Sequence, residues 1–113
     1  MRIPPVPADV RERVINRDMW VCAHLYCLER STELAHKIAQ TRANVSEVKR
    51  IVLEEYGAEV DDKWVIYNVI HHPRNLACSC RKHNDSFNIG NRPEVVRAHV
   101  RAILDGELRR ETA

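Results

Sequence analysis

The chain has 113 residues, 44% of them hydrophobic and 30% charged, with a formal net charge of +2. That size fits one domain, here 1–113, with a modest core that gains from a metal staple. No apolar run approaches the roughly 20 residues of a membrane span, and the opening Met1-Arg2-Ile3-Pro4-Pro5 has no apolar export segment. A cytoplasmic, reducing setting is therefore expected, in which the four cysteines favour metal binding over disulfides.

The charge is unevenly spread. Between residues 45 and 63, three cations (Lys49, Arg50, Lys63) meet six carboxylates (Glu47, Glu54, Glu55, Glu59, Asp61, Asp62), a balance of −3 that leaves +5 for the rest. From Ile70 to Arg92, the cations Arg74, Arg81, Lys82 and Arg92 stand against Asp85 alone. A basic patch of this kind suits a phosphate backbone or is simply a solvated surface.

After an extended Pro4-Pro5-Val6-Pro7 arm, a helix starting at Pro7 or Ala8 carries Val10, Val14 and Ile15 on one side and ends near Arg17-Asp18. Cys22 and Cys27 then bound a Cys-x4-Cys loop, with His24 either a spare ligand or an exposed residue. Residues 33–38 read as a short strand in which His36 faces away from Ala35 and Lys37. Asn44-Val45-Ser46-Glu47 has the residue types of a capping box and predicts a helix from Asn44, striped by Val48, Ile51 and Val52 and stopped at Gly57. Residues 64–70 are β-branched and aromatic enough for a strand, although continued helix also fits. Pro73 biases His72 away from the α region, and His71 reads as a surface residue. The last helix opens at Pro93, shows Val95, Val96, His99, Val100, Ile103 and Leu104 at amphipathic spacing, and is expected to stop at Gly106, with His99 as a packing residue.

Chemistry concentrates between Asn75 and Asn88, where a short helix is expected from about Cys78. Cys80 and His83, three apart, share a helix face and can bind one ion. With Cys22 and Cys27, the other close cysteine pair, they make a structural zinc site. Cys78 competes with Cys80, but the spacing to His83 favours Cys80 and leaves Cys78 as a small buried hydrophobe. Asn84 and Asn88, four apart, give the same helix an amide face.

Arg17-Asp18 before a cysteine pair, an Ala35-His36-Lys37-Ile38 strand, then Asn75-Leu76 and Cys80-x-x-His83-Asn84 together resemble the HNH endonuclease family. In that pattern the third catalytic position falls nine after the Asn, at Asn84, and two zinc positions fall five and eight after it, at Cys80 and His83. The resemblance covers roughly residues 11–92. It implies an α+β, zinc-stabilised ββα-metal core with flanking N- and C-terminal helices, a helical insertion at about 44–63 and a C-terminal helix at about 93–105. It further implies a metal-dependent hydrolase of DNA phosphodiesters, with RNA also open, working alone, as a homodimer or with a protein partner. His36 would be the general base, Asn75 the positioning residue, and Asn84 a ligand of a catalytic Mg²⁺ or Mn²⁺. Lys37, Arg74, Arg81, Lys82 and Arg92 would hold nucleic acid. The chain departs from the family at Ala35, where an Asp, Glu or His metal ligand is usual; His72, Asn88 or Glu33 would substitute, with His72 preferred through the shared His72-Pro73-Arg74-Asn75 stretch. A zinc-stapled nucleic-acid-binding module without catalysis is the alternative.

Overall fold

Two short strands far apart in sequence divide the chain. The computed structural model describes the backbone of residues 2–112 and the side chains of 2–106. Strand β1 (Leu34–His36) pairs antiparallel with β2 (Leu76–Cys78), setting Leu34 opposite Cys78, Ala35 opposite Ala77 and His36 opposite Leu76. Helix α1 (Ala8–Arg17) precedes them, and its last residue closes the outer edge of β2. The Arg17 guanidinium donates to Leu76 O (2.7 Å) and Pro73 O (2.8 Å), while Asp18 Oδ2 accepts the Cys78 N–H (2.8 Å). An ion-paired dipeptide thus satisfies the backbone groups that a third strand would have taken. Burial alone would raise the Asp18 pKa, but Arg17 and the Cys78 N–H hold it below its ordinary value.

Between the strands the chain makes helix α2 (Arg42–Tyr56), the short α3 (Asp62–Val65) and a π-helical turn at Ile66–Ile70. After β2 come a 3₁₀ helix at Arg81–Phe87 and the long α4 (Pro93–Thr112). Branched aliphatic side chains of α2, the α3–π segment and α4 meet in one core, including Ile38, Val48, Ile51, Val65, Val100 and Ile103. The molecule is a small α+β domain, and among the described residues no helix is long and apolar enough to cross a membrane.

Several local expectations are corrected. Helix α2 is capped by Thr41, whose hydroxyl accepts the Asn44 N–H at 3.1 Å, and so begins before Asn44; Asn44 instead donates to Ala39 O. Glu47 pairs with Arg50 rather than reaching back to a cap. Residues 64–70 are helical, not extended: Val65, Ile66, Val69 and Ile70 are buried while Tyr67 and Asn68 face out, a helical stripe that alternation cannot produce. Asp61 starts this segment by accepting the Trp64 N–H at 2.8 Å, a cap that outweighs the β preference of the residues behind it. Helix α4 continues through Gly106, which lacks a positive φ; a Cβ there would meet the Arg74 guanidinium at an ordinary contact distance of 3.4 Å, so neither backbone conformation nor space demands a glycine. Finally, Cys78 lies in β2 and the short helix starts only after Cys80, as 3₁₀ turns.

Candidate metal centre and the histidine beside the strand pair

The Cys22–Cys27 loop is shaped by backbone bonds before any metal is considered. Cys22 N–H donates to Glu29 O (2.8 Å), Ala23 N–H to Cys78 O (2.8 Å), and Cys27 N–H to His24 O (3.0 Å). Tyr26 takes the left-handed conformation (φ 64°) that turns the chain into Cys27. In the opposite pair Cys80 is the extended N-cap of the 3₁₀ helix, and its carbonyl accepts the His83 N–H at 3.1 Å, closing the turn that brings the two side chains together.

The four groups converge. Their ligand atoms all lie within 4.8 Å of one another, with Cys22 Sγ to His83 Nδ1 at 3.8 Å, Cys80 Sγ to His83 Nδ1 at 3.3 Å and Cys27 Sγ to Cys80 Sγ at 3.9 Å. A tetrahedral zinc, with Zn–S of about 2.3 Å and Zn–N of about 2.0 Å, needs sulfur–sulfur separations near 3.8 Å and sulfur–nitrogen separations near 3.5 Å. The cluster fits that ion, with Nδ1 as the histidine ligand atom, and these four residues can bind a metal such as zinc. Cys78 stays out of the group: fully buried, its thiol donates to Ser31 O at 3.0 Å. His24 is neither ligand nor idle, since its ring stacks on that of His83 at 4.0 Å and 2° and meets the edge of Phe87.

His36 ends β1. Its Nε2 lies 3.1 Å from Nδ1 of His71, whose Nε2 in turn donates to Pro4 O at 2.7 Å. Burial, and secondarily the neighbouring His71, push the His36 pKa down to about 4. Asn75 is fully buried and its amide is saturated. Oδ1 accepts from Ile38 N–H (2.8 Å) and His99 Nε2 (3.0 Å); Nδ2 donates to Ile38 O (3.1 Å) and Ile70 O (2.8 Å). One side chain therefore ties the residue two past His36 to the π turn and to α4. Asn84 Nδ2 donates to Ser79 Oγ at 3.0 Å, beside the metal ligands.

Comparison with family models, curated proteins and solved structures returns no match. What the site can do must come from its own geometry.

The predicted residues fall into separate groups. The four zinc ligands come together, and so do His36 and Asn75 through the Ile38 backbone. Asn84 and His36 are joined by no hydrogen bond among the described residues, although the 3₁₀ helix packs on β1. His72 uses Nδ1 to accept the Arg74 N–H, and Asn88 uses Oδ1 to accept the Gly90 N–H. Glu33 stays on the exposed side, its carbonyl receiving the Ser79 N–H. Among the cations, Arg81 and Lys82 are exposed on the 3₁₀ helix, and Arg92 lies 3.9 Å from Glu94. Lys37 lines a cleft of about 510 Å³ with Arg17, Arg74, Phe87 and His99, and Arg74 also donates to Ala102 O at 3.0 Å.

Two histidines carry more than the sequence suggested. His71 is 1% exposed rather than on the surface. His99 is a hydrogen-bond donor to Asn75 as well as a packing residue, with burial, then Lys37 and His72, pushing its pKa down to about 4. An ordinary α-helical reading of 64–70 would still have put His71 on the outward face with Tyr67; the widened π turn, in which the His71 N–H reaches back to Ile66 O at 2.8 Å, brings it inside.

Proposed function

We propose that the chain is a metal-dependent HNH-type endonuclease that hydrolyses DNA phosphodiesters, with a zinc-stapled ββα-metal core formed by β1, β2 and the 3₁₀ helix. The observation that carries this reading is the Asn75 clamp. A saturated, buried amide holds the backbone just beyond a neutral imidazole at a strand end, as a positioned base requires. The thiolate–histidine cluster supports it by pinning the Asn84-bearing turn against the same strand.

In this reading the His36 ring takes a proton from the water that attacks phosphorus. Asn75 fixes the strand end that carries it, and the exposed Arg81 and Lys82 bind flanking phosphates. Among the described residues the Cys/His cluster is the one group of three or more His, Cys, Asp or Glu side chains able to hold an ion. The donors elsewhere therefore suit a hydrated Mg²⁺ or Mn²⁺ taken up with the phosphate, through the Asn84 oxygen, rather than a closed cage. Such a cation would supply Lewis-acid neutralisation of charge on the phosphate and the leaving oxygen.

Because burial depresses the His36 pKa, the base is neutral at pH 7 and remains so on acidification to near its pKa. The cleavage rate per zinc-loaded molecule is expected to be flat from pH 7 to about 5 and to fall with a midpoint near 4, instead of falling below about pH 6 as an unperturbed histidine would give. Plasmid nicking with Mg²⁺, Mn²⁺ or chelator, beside a His36→Ala protein that still holds zinc, tests the proposal. Nicking retained in His36→Ala would refute the assignment.

A second reading is favoured by one observation. Ala35 is 1% exposed and paired with Ala77, so no carboxylate stands next to His36 on β1. A zinc-stapled nucleic-acid-binding module predicts salt-sensitive DNA binding with no cation-dependent cleavage by the wild type.

A further inference from the structure

We propose that His71, anchored by the carbonyl of Pro4, is a positioning residue that fixes the His36 ring as its Nε2–H tautomer and leaves Nδ1 as the bare nitrogen. The inference rests on the role of His36 as base and adds which of its atoms acts and what holds it there.

The assignment follows from counting protons. A carbonyl oxygen can only accept, so the 2.7 Å contact with Pro4 O places a hydrogen on His71 Nε2. His71 is 1% exposed, and among the described residues its side-chain hydrogen-bond partners are a carbonyl and another imidazole, with no carboxylate to balance a charge, so the ring is neutral and carries that one hydrogen alone. Its Nδ1 is then a lone pair. The hydrogen in the 3.1 Å contact with His36 must belong to His36 Nε2. A neutral His36 has no second hydrogen, and Nδ1 is its base. Burial disfavours the protonated form of both rings, which agrees with this count.

The anchor is built from separate parts of the chain. His71 is set by a widened turn, its N–H reaching back to Ile66 O at 2.8 Å, and by the edge of Tyr67 against its ring. Pro4 has a fixed φ, and Ile3 before it packs on the helical core, so the arm presents its carbonyl from a held position. Without this chain of two bonds the His36 ring could rotate or exchange tautomers, and Nδ1–H would offer an attacking water a donor where an acceptor is needed.

The test uses zinc-loaded full-length protein with ¹⁵N-labelled histidine at pH 7. Long-range ¹H–¹⁵N spectra are expected to show hydrogen on Nε2 of both His36 and His71, and a scalar coupling across the hydrogen bond between His36 Nε2 and His71 Nδ1. Hydrogen on Nδ1 of His36, or no coupling between the rings, overturns the proposal whether or not the protein cleaves DNA. In cleavage, His71→Leu is expected to lower kcat about 100-fold at unchanged KM. His71→Gln, which keeps an acceptor and a donor, is expected to recover most of that loss. Wild-type kcat in His71→Leu overturns the proposal, and if His71→Leu does not fold, the wild-type spectra still decide it. A wild type that cleaves nothing, but shows the expected hydrogens and coupling, sinks the nuclease reading alone.

Discussion

The two ends of this small molecule are held together by different physics. On one side α2, the α3–π segment and α4 bury a continuous set of valines and isoleucines together with Leu104. On the other, the 18–33 loop and the 79–91 segment leave Met19, Leu25, Tyr26 and Leu28 largely exposed and rely on three thiols, an imidazole and backbone bonds. A chain of this length has little apolar surplus for a second core, and in the half without one the Cys22, Cys27, Cys80 and His83 cluster can bind a metal such as zinc, which would close it. The strand pair is the seam between them. It is crossed by the Arg17–Asp18 unit on its outer edge and by Asn75 and His99 on the side of α4.

Loading the cluster with zinc and then stripping it breaks this contrast most sharply. Zinc sites of this composition contribute about 10 kcal/mol or more to the folded state of the segments they join. Chelation or Cys80→Ser is therefore expected to abolish amide-exchange protection across 20–31 and 79–89 while α2, the π turn and α4 stay protected. Loss of protection everywhere at once would show that the apolar half does not stand by itself.

A core truncation probes the opposite side. Ile103 is fully buried between α4 and its neighbours, and Ile103→Ala is expected to cost about 2–5 kcal/mol in denaturant unfolding while leaving zinc stoichiometry at one. Zinc loss in that variant would mean the halves are one cooperative unit. A smaller effect sharpens the boundary of α2. Thr41→Ala removes the observed cap and is expected to cost about 1 kcal/mol, whereas Glu47→Ala, which touches only a surface ion pair, is expected to change stability by less than about 0.5 kcal/mol.

Local spacing made part of the candidate site legible in the sequence. Cys80 and His83 three apart, the Cys22–Cys27 pair, and the stripe of α4 depend on short-range spacing, and the structure gathers the four residues, although Cys80 stands just ahead of the short helix rather than on its face. The turn at Gly57 was equally readable, since its left-handed φ of 66° is one glycine adopts without strain. The 64–70 segment was not, because β-branched residues suit a strand locally and only the Asp61 cap and the helical core behind them decide otherwise. Gly106 likewise reads as a stop, yet α4 runs on through it without a positive φ.

Taken alone, then, the sequence determined the ligand types, their spacing, the apolar stripes and the charge asymmetry, all properties of neighbours along the chain. Only the tertiary structure decided that the Cys78 thiol bonds Ser31 O, that Asn75 spends its whole amide on Ile38, Ile70 and His99, and that His36 meets His71 and the Pro4 arm. The reason is that a hydrogen bond between residues dozens of positions apart leaves no periodic trace: either partner could occupy its place in the chain without the other, and the pairing exists only once burial has removed water as the competing partner.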